Sequence, residues 1–204
     1  MYVLNELINK KQLSKKIALD ETYLTYQAKG FVNQNRRGIS KDKIGIACAI
    51  DEDGNCVVHT ADRGRPTSST LIDIFKNSIC PGSVVISDSQ RSYHQLMDAL
   101  NIKWVKIPSG EKSKDGYTLE MVNRLHDRIK AFFRGKRNVM THYLQGYLAL
   151  FQYSELQTMM IGNKMFQDEF MKINNILSGI RNKDICQKSI YTRRCMSVDF
   201  SFIS

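Results

Sequence analysis

Residues 44–61 read "IGIACAIDEDGNCVVHTA". Two runs rich in branched residues flank Asp53-Gly54. Asp-Gly readily supplies the left-handed backbone of a tight turn, so the segment predicts a β-hairpin. Upstream, "KIALDETYLTY" (16–26) is branched and aromatic and predicts another strand. The polar, glycine-containing "NQNRRGISKDK" (33–43) joins the two as a loop. Three leading strands with a hairpin among them point to antiparallel pairing.

Downstream the rhythm changes. "RPTSSTLIDIFKNSI" (65–79) has a proline, hydroxyl N-cap candidates and a helical apolar pattern. "CPGSVVISD" (80–88) is a turn followed by a short apolar strand, the kind buried at a sheet centre. "SYHQLMDAL" (92–100) predicts a helix, "IKWVKIP" (102–108) a strand and "SGEKSKDG" (109–116) a polar loop. A helix over 117–134, a break near Gly135 and a second helix over 141–160 follow, with 161–180 continuing as helix. Strands alternating with helices predict parallel additions, hence an α/β fold with a mixed sheet covered by helices on both faces. Residues 1–16 read as an N-terminal extension, 17–156 as the core, and 157–204 as a helical extension with a basic tail.

The chain has 204 residues, 42% of them apolar and 9% aromatic, enough for a packed core. Thirty Lys and Arg against twenty Asp and Glu leave a formal charge of +10, which favours a polyanionic partner. Cys48, Cys56, Cys80, Cys186 and Cys195 form no C-x-x-C pair, and their number and spacing suit reduced thiols in a cytoplasm. "MYVLNELINKKQLSKK" lacks the apolar stretch of a signal peptide, and no segment has the length of a membrane span. The expectation is a cytoplasmic protein with no membrane partner. There is no G-x-S-x-G, Walker A or G-x-G-x-x-G motif, and no cysteine has an evident histidine partner.

Two acids stand out. Asp20 lies inside an apolar strand, and Asp88 sits where another ends. A buried carboxylate is costly unless paired or bound to metal. Carboxylates on neighbouring strands can converge, and a divalent cation relieves their repulsion. The helix "YTLEMVNRLHDRIKAFFRGKR" (117–137) adds Asn123, His126 and Lys130, which share one side at i, i+3 and i+7. Asn123 offers a carbonyl to a hard cation, while His126 and Lys130 offer contacts to phosphate oxygens. Two carboxylates, an oxygen ligand and a cationic flank are the inventory of metal-assisted phosphoryl transfer. Arg124, Arg128, Lys130, Arg134, Lys136 and Arg137 stand against Asp127 alone and read as a DNA-contacting cluster. Arg63 and Arg65 in "ADRGRP" (61–66) read equally as solvated charges or phosphate contacts. Tyr143, Tyr147, Phe151, Tyr153 and Trp104 read as core.

The stretches "ALDETYL" (18–24), "VVISDSQRSYHQL" (84–96) and "VNRLHDRIKAFFRGKRNVMTHYLQGYLALF" (122–151) carry a resemblance. Over about residues 17–155 the chain resembles the DDE-type transposases of bacterial insertion sequences, in particular the ISXO-like transposase domain. Asn123 lies 35 residues after Asp88, the spacing usual in such cores. The resemblance implies a ribonuclease H-like, mixed five-stranded sheet. It implies catalytic Asp20, Asp88, Asn123 and Lys130, with the first three holding Mg2+ or Mn2+ in a two-metal site. His126 would assist nearby, touching DNA. The implied activity is DNA strand cleavage and strand transfer at insertion-sequence ends by a homo-oligomer on DNA. The third position is usually Glu in this superfamily; one branch resembles this chain in having Asn there with Lys seven residues on. Relatives commonly carry an N-terminal zinc ribbon and a helical DNA-reading domain, so a truncated copy lacking them is expected. The alternatives are a non-catalytic remnant that binds DNA or self-associates, and a structure-specific nuclease on the same fold.

Overall fold

The computed structural model describes residues 12–30, 32, 37–111, 113–136 and 139–160, with side chains described as far as 155. Arg137, residues 1–11 and residues 161–204 lie outside it, and with them most of the expected N-terminal extension and the expected C-terminal tail.

Five strands form the main sheet: β1 (Lys16–Thr25), β2 (Lys43–Asp51), β3 (Cys56–Arg63), β4 (Val84–Asp88) and β5 (Lys103–Ile107). The helices are α1 (Ser68–Phe75), α2 (Arg91–Leu100), α3 (Glu120–Arg134) and α4 (Leu144–Met160). The sheet order is β3-β2-β1-β4-β5. β2 is antiparallel to both β1 and β3, whereas β4 is parallel to β1 and to β5. Only β2 therefore runs against the rest, the ribonuclease H-like arrangement.

The β2–β3 turn follows from its residues. Gly54 has φ 84, and its N–H donates to the Asp51 carbonyl at 3.0 Å. The buried Asp51 carboxylate accepts from the Asn55 backbone N–H at 2.8 Å, closing the loop.

Period-two alternation splits β1 between two cores. Ile17 and Leu19 pack with Leu71 and Phe75 of α1 and Tyr93 and Leu96 of α2. Ala18 faces the other way, with Val122, Leu125 and Ile129 of α3 and Leu144, Leu148 and Phe151 of α4. Each large side chain buried this way stabilises by about 1.5–3 kcal/mol.

The edge strand β3 is covered by α4. Gln145 Oε1 accepts from the Thr60 N–H at 2.8 Å, and Gln152 Oε1 accepts from the Val58 N–H. The two glutamines are seven residues apart, so one helix side meets alternate residues of the strand.

Three expectations need correction. The polar loop at 109–116 contains a small strand, Ser113–Lys114, paired with Tyr117–Thr118. Asp115 and Gly116 both have positive φ (51 and 78), so this is a second Asp-Gly hairpin. The following helix consequently begins at Glu120, and the next is preceded by a 3-10 turn, Thr141–Tyr143. Tyr143 is 55% exposed, and Tyr147 and Tyr153 are half-buried, whereas Phe151 is buried and Trp104 packs against the core as expected. No described helix is long and apolar enough to cross a membrane.

Candidate active site

Strand register brings the two aspartates together. β1 and β4 pair in parallel from Lys16↔Val84 to Ala18↔Ile86. Two residues further along both strands come Asp20 and Asp88, on the face that carries Ala18. That is the face covered by α3 and α4. Asp20 Oδ1 accepts from the Glu21 N–H at 2.9 Å, and Asp88 Oδ1 accepts from the Gln90 N–H at 3.0 Å. Burial pushes the Asp20 carboxyl up to about 6; the Glu21 N–H opposes this, and the Asp88 charge adds to it. Asp88 lines an open cleft of about 400 Å³.

Helix α3 buries Val122, Leu125 and Ile129, with His126 at the edge of that stripe. Burial and then the Lys130 charge push the His126 imidazole down to about 4, against the pull of the Asp20 backbone. His126 is therefore neutral near pH 7 and adds no positive charge there. Its Nε2 is buried and has no hydrogen-bond partner among the described residues. Asn123 and Lys130 are exposed on the flank beside it. Asn123 hydrogen-bonds neither aspartate; its place in the site rests on helix position alone.

The basic residues divide by helix face. Lys130 and Arg134 share the Asn123 flank at i+7 and i+11. Arg124 and Arg128 lie on another side and are ion-paired, to Glu120 and Glu155 respectively, each at 2.7 Å. Lys136 donates to the Phe132 carbonyl at 3.0 Å and stacks on the Phe132 ring.

A second polar cluster lies on the opposite face of β1. Glu21 is buried, and both its oxygens accept from Gln90 Nε2, at 3.2 and 3.4 Å. Gln90 Nε2 also donates to Ser92 Oγ at 2.7 Å. Burial pushes the Glu21 carboxyl up to about 7. The nearby Tyr93 hydroxyl and Arg65 oppose this, and the charges of Asp20 and Asp88 add to it. The Tyr93 hydroxyl stands beside this carboxylate without a hydrogen bond of good geometry. The sequence signal for Glu21 was its place next to Asp20 in an apolar strand, which puts it on the other face. Nothing local revealed Gln90 as its partner, 69 residues away.

Residues 12–155 match the ISXO2-like transposase domain. The chain belongs to that DDE-type transposase family. No curated protein matches it. Solved structures similar to the transposase domain at low identity include the following two. One is a chain of the simian T-cell lymphotropic virus intasome in complex with PP2A regulatory subunit B56 gamma. It is 14% identical with a TM-score of 0.49, the match covering 70% of this chain and 48% of that one. The other, the catalytic core domain of BIV integrase, is 15% identical with a TM-score of 0.44, covering 69% of this chain and 82% of that one. The transposase domain thus spans about half the length of the intasome chain.

The family generally uses divalent metals, and the donor set here can be tested against one. Among the described residues no group of three His, Cys, Asp or Glu converges as a metal cage. Two adjacent carboxylates are present, one of them desolvated and repelled by the other. An exposed amide stands on the neighbouring helix. Mg2+ is usually held by one or two carboxylates, with waters and substrate phosphates completing its octahedron. The residues fit such an ion.

Proposed function

We propose that this domain is the catalytic core of a DNA transposase that cuts a strand at an insertion-sequence end and joins the freed 3′-hydroxyl to target DNA. The observation that carries the reading is the β1–β4 register, which sets Asp20 beside Asp88 on the face that α3 covers. Asp20 and Asp88 would hold Mg2+ or Mn2+, with the Asn123 carbonyl as the third protein donor. Bound there, a divalent ion would stabilise the charge developing on the attacking and leaving oxygens. Lys130 and Arg134, on the Asn123 flank, contact phosphates and fix the strand across the site. His126, neutral and packed against Asp20, holds that part of β1 in place. A second copy on the same DNA completes the working assembly, in the cytoplasm.

The test is Mn2+-dependent nicking and strand transfer on an end-containing duplex, comparing wild type with Asp88→Asn. Loss of both in the variant supports the catalytic reading. Asn123, neutral and bonded to neither aspartate, favours a second one: a domain that binds DNA without cutting it. Salt-sensitive binding with no cleavage by either protein would select that alternative.

A further inference from the structure

A basic cleft lies on the other side of Asp88 from α3. Its walls are Arg65, Arg91, Ser89, Ser92 and Ser109, with Asp88 at its edge, and it encloses about 400 Å³. Arg65 and Arg91 are exposed, and neither has an ion pair or hydrogen bond with a described residue. On α3, by contrast, Arg124 and Arg128 are each matched by a glutamate. Arg65 acts on the Glu21 carboxylate only at a distance, and Asp88 supplies one carboxylate at the cleft's edge, so two exposed guanidiniums without a direct partner still favour an anion between them.

The cleft is also preorganised. Arg65 follows Gly64, whose N–H donates to the Lys43 carbonyl at 2.8 Å. Asp62 Oδ2 accepts from Thr67 N, Thr67 Oγ1 and Thr70 Oγ1 at 2.8, 3.1 and 2.8 Å, which ties the β3–α1 loop to the first turn of α1. On the opposite wall Gln90 spans from buried Glu21 to Ser92 Oγ. Ser92 accepts that bond, so its own hydroxyl proton is left to donate. Arg91 and Ser92 open α2, whose N-cap Gln90 makes no side-chain capping bond. The partial positive charge of that helix end adds to the arginines.

We propose that this cleft seats a backbone phosphodiester of DNA, clamped by Arg65 and Arg91, so that the strand crosses Asp88 between this clamp and the Lys130 flank of α3. The inference rests on the transposase reading and adds a contact to it. The phosphodiester has two possible sources, the strand end being cut or an internal stretch of a second duplex.

The experiment measures binding of a labelled duplex across a salt series, without divalent ion, for wild type, Arg65→Gln, Arg91→Gln and Lys15→Gln. Lys15 is ion-paired with Asp53 at the start of β1, the far end of that strand. Each arginine variant should lower the slope of log affinity against log salt, by at most about 0.9, the worth of the one phosphate they share, uniformly across sequences. Lys15→Gln should leave the slope unchanged. Unaltered slopes in both arginine variants, with wild-type binding intact, would overturn the clamp and leave the transposase reading standing. Failure of wild type to bind DNA would sink both. Competition with linear and closed-circular DNA of one sequence separates the sources. A loss confined to linear DNA assigns the clamp to the end, and an equal loss on both assigns it to internal duplex.

Discussion

Asp20 is strained by its position. Its carboxyl titrates near 6 in the fold against 3.8 for an ordinary aspartate, chiefly through burial. At neutral pH the charged form therefore costs about 2 kcal/mol, allowing for its remaining exposure. Asp20→Asn should raise the metal-free melting temperature at pH 7 while abolishing stabilisation by Mg2+. Melting curves with and without the ion check this, and a variant that melts lower than wild type in both conditions would contradict it. Asn123 gives the reverse experiment. It is exposed on the α3 flank, so Asn123→Glu adds a carboxylate without burying it. Mn2+ should then bind at least tenfold more tightly by calorimetry, because a third negative donor enters a site that has two. Unchanged affinity would place position 123 outside the ion's reach.

At the level of elements, the fold depends on how edges and loops are closed. The outward N–H groups of β3 would be open to pairing with another chain, a recurrent hazard of edge strands. Gln145 and Gln152 satisfy two of them from α4. Gln152→Leu leaves the Val58 N–H buried and unpaired, which should cost about 1–3 kcal/mol in urea unfolding. A loss below about 0.5 kcal/mol would mean that water replaces the glutamine. Gly45 is the matching case on β2. A Cβ there would lie 3.1 Å from Pro66 Cγ and 3.2 Å from the Gly64 carbonyl oxygen. Gly45→Ala should therefore destabilise by about 1–3 kcal/mol and weaken DNA binding through the displaced Arg65 loop. The β2–β3 hairpin was legible because two long runs rich in branched residues flanked its Asp-Gly turn. The Asp115-Gly116 turn carried the same signal, yet strands of two residues are too short to show alternation. Tyr143 was misread because aromatic spacing alone does not show that it belongs to the 3-10 turn before α4, which leaves it exposed.

For the whole molecule, the order of strands and helices was readable, and so was the mixed sheet they build. The parallel register that aligns Asp20 with Asp88 was not, because it joins residues 68 apart through packing that no local pattern encodes. The same long-range packing desolvates three titratable groups, Asp20 and His126 on one face of β1 and Glu21 on the other, which makes a prediction about stability against pH. Asp20 and Glu21 titrate in the fold near 6 and 7, above their ordinary values of 3.8 and 4.5. Their contributions are fully present below about pH 4 and are lost as pH rises through 6 to 7. His126 is lowered from 6.5 to about 4, so its contribution is present above 6.5 and lost as pH falls through 4. Removing the two carboxyls as Asp20→Asn with Glu21→Gln leaves only the histidine's dependence. The stability gained by that double variant over wild type should be near zero at pH 4 and grow to about 3 kcal/mol at pH 7. With the ion held as proposed by ionised Asp20 and Asp88, saturating Mg2+ should stabilise folded wild type and shrink the gain at pH 7. Urea unfolding at both pH values decides it. Parallel stability curves for wild type and variant would mean that the two carboxyls are solvated, and that strand register places them without straining them.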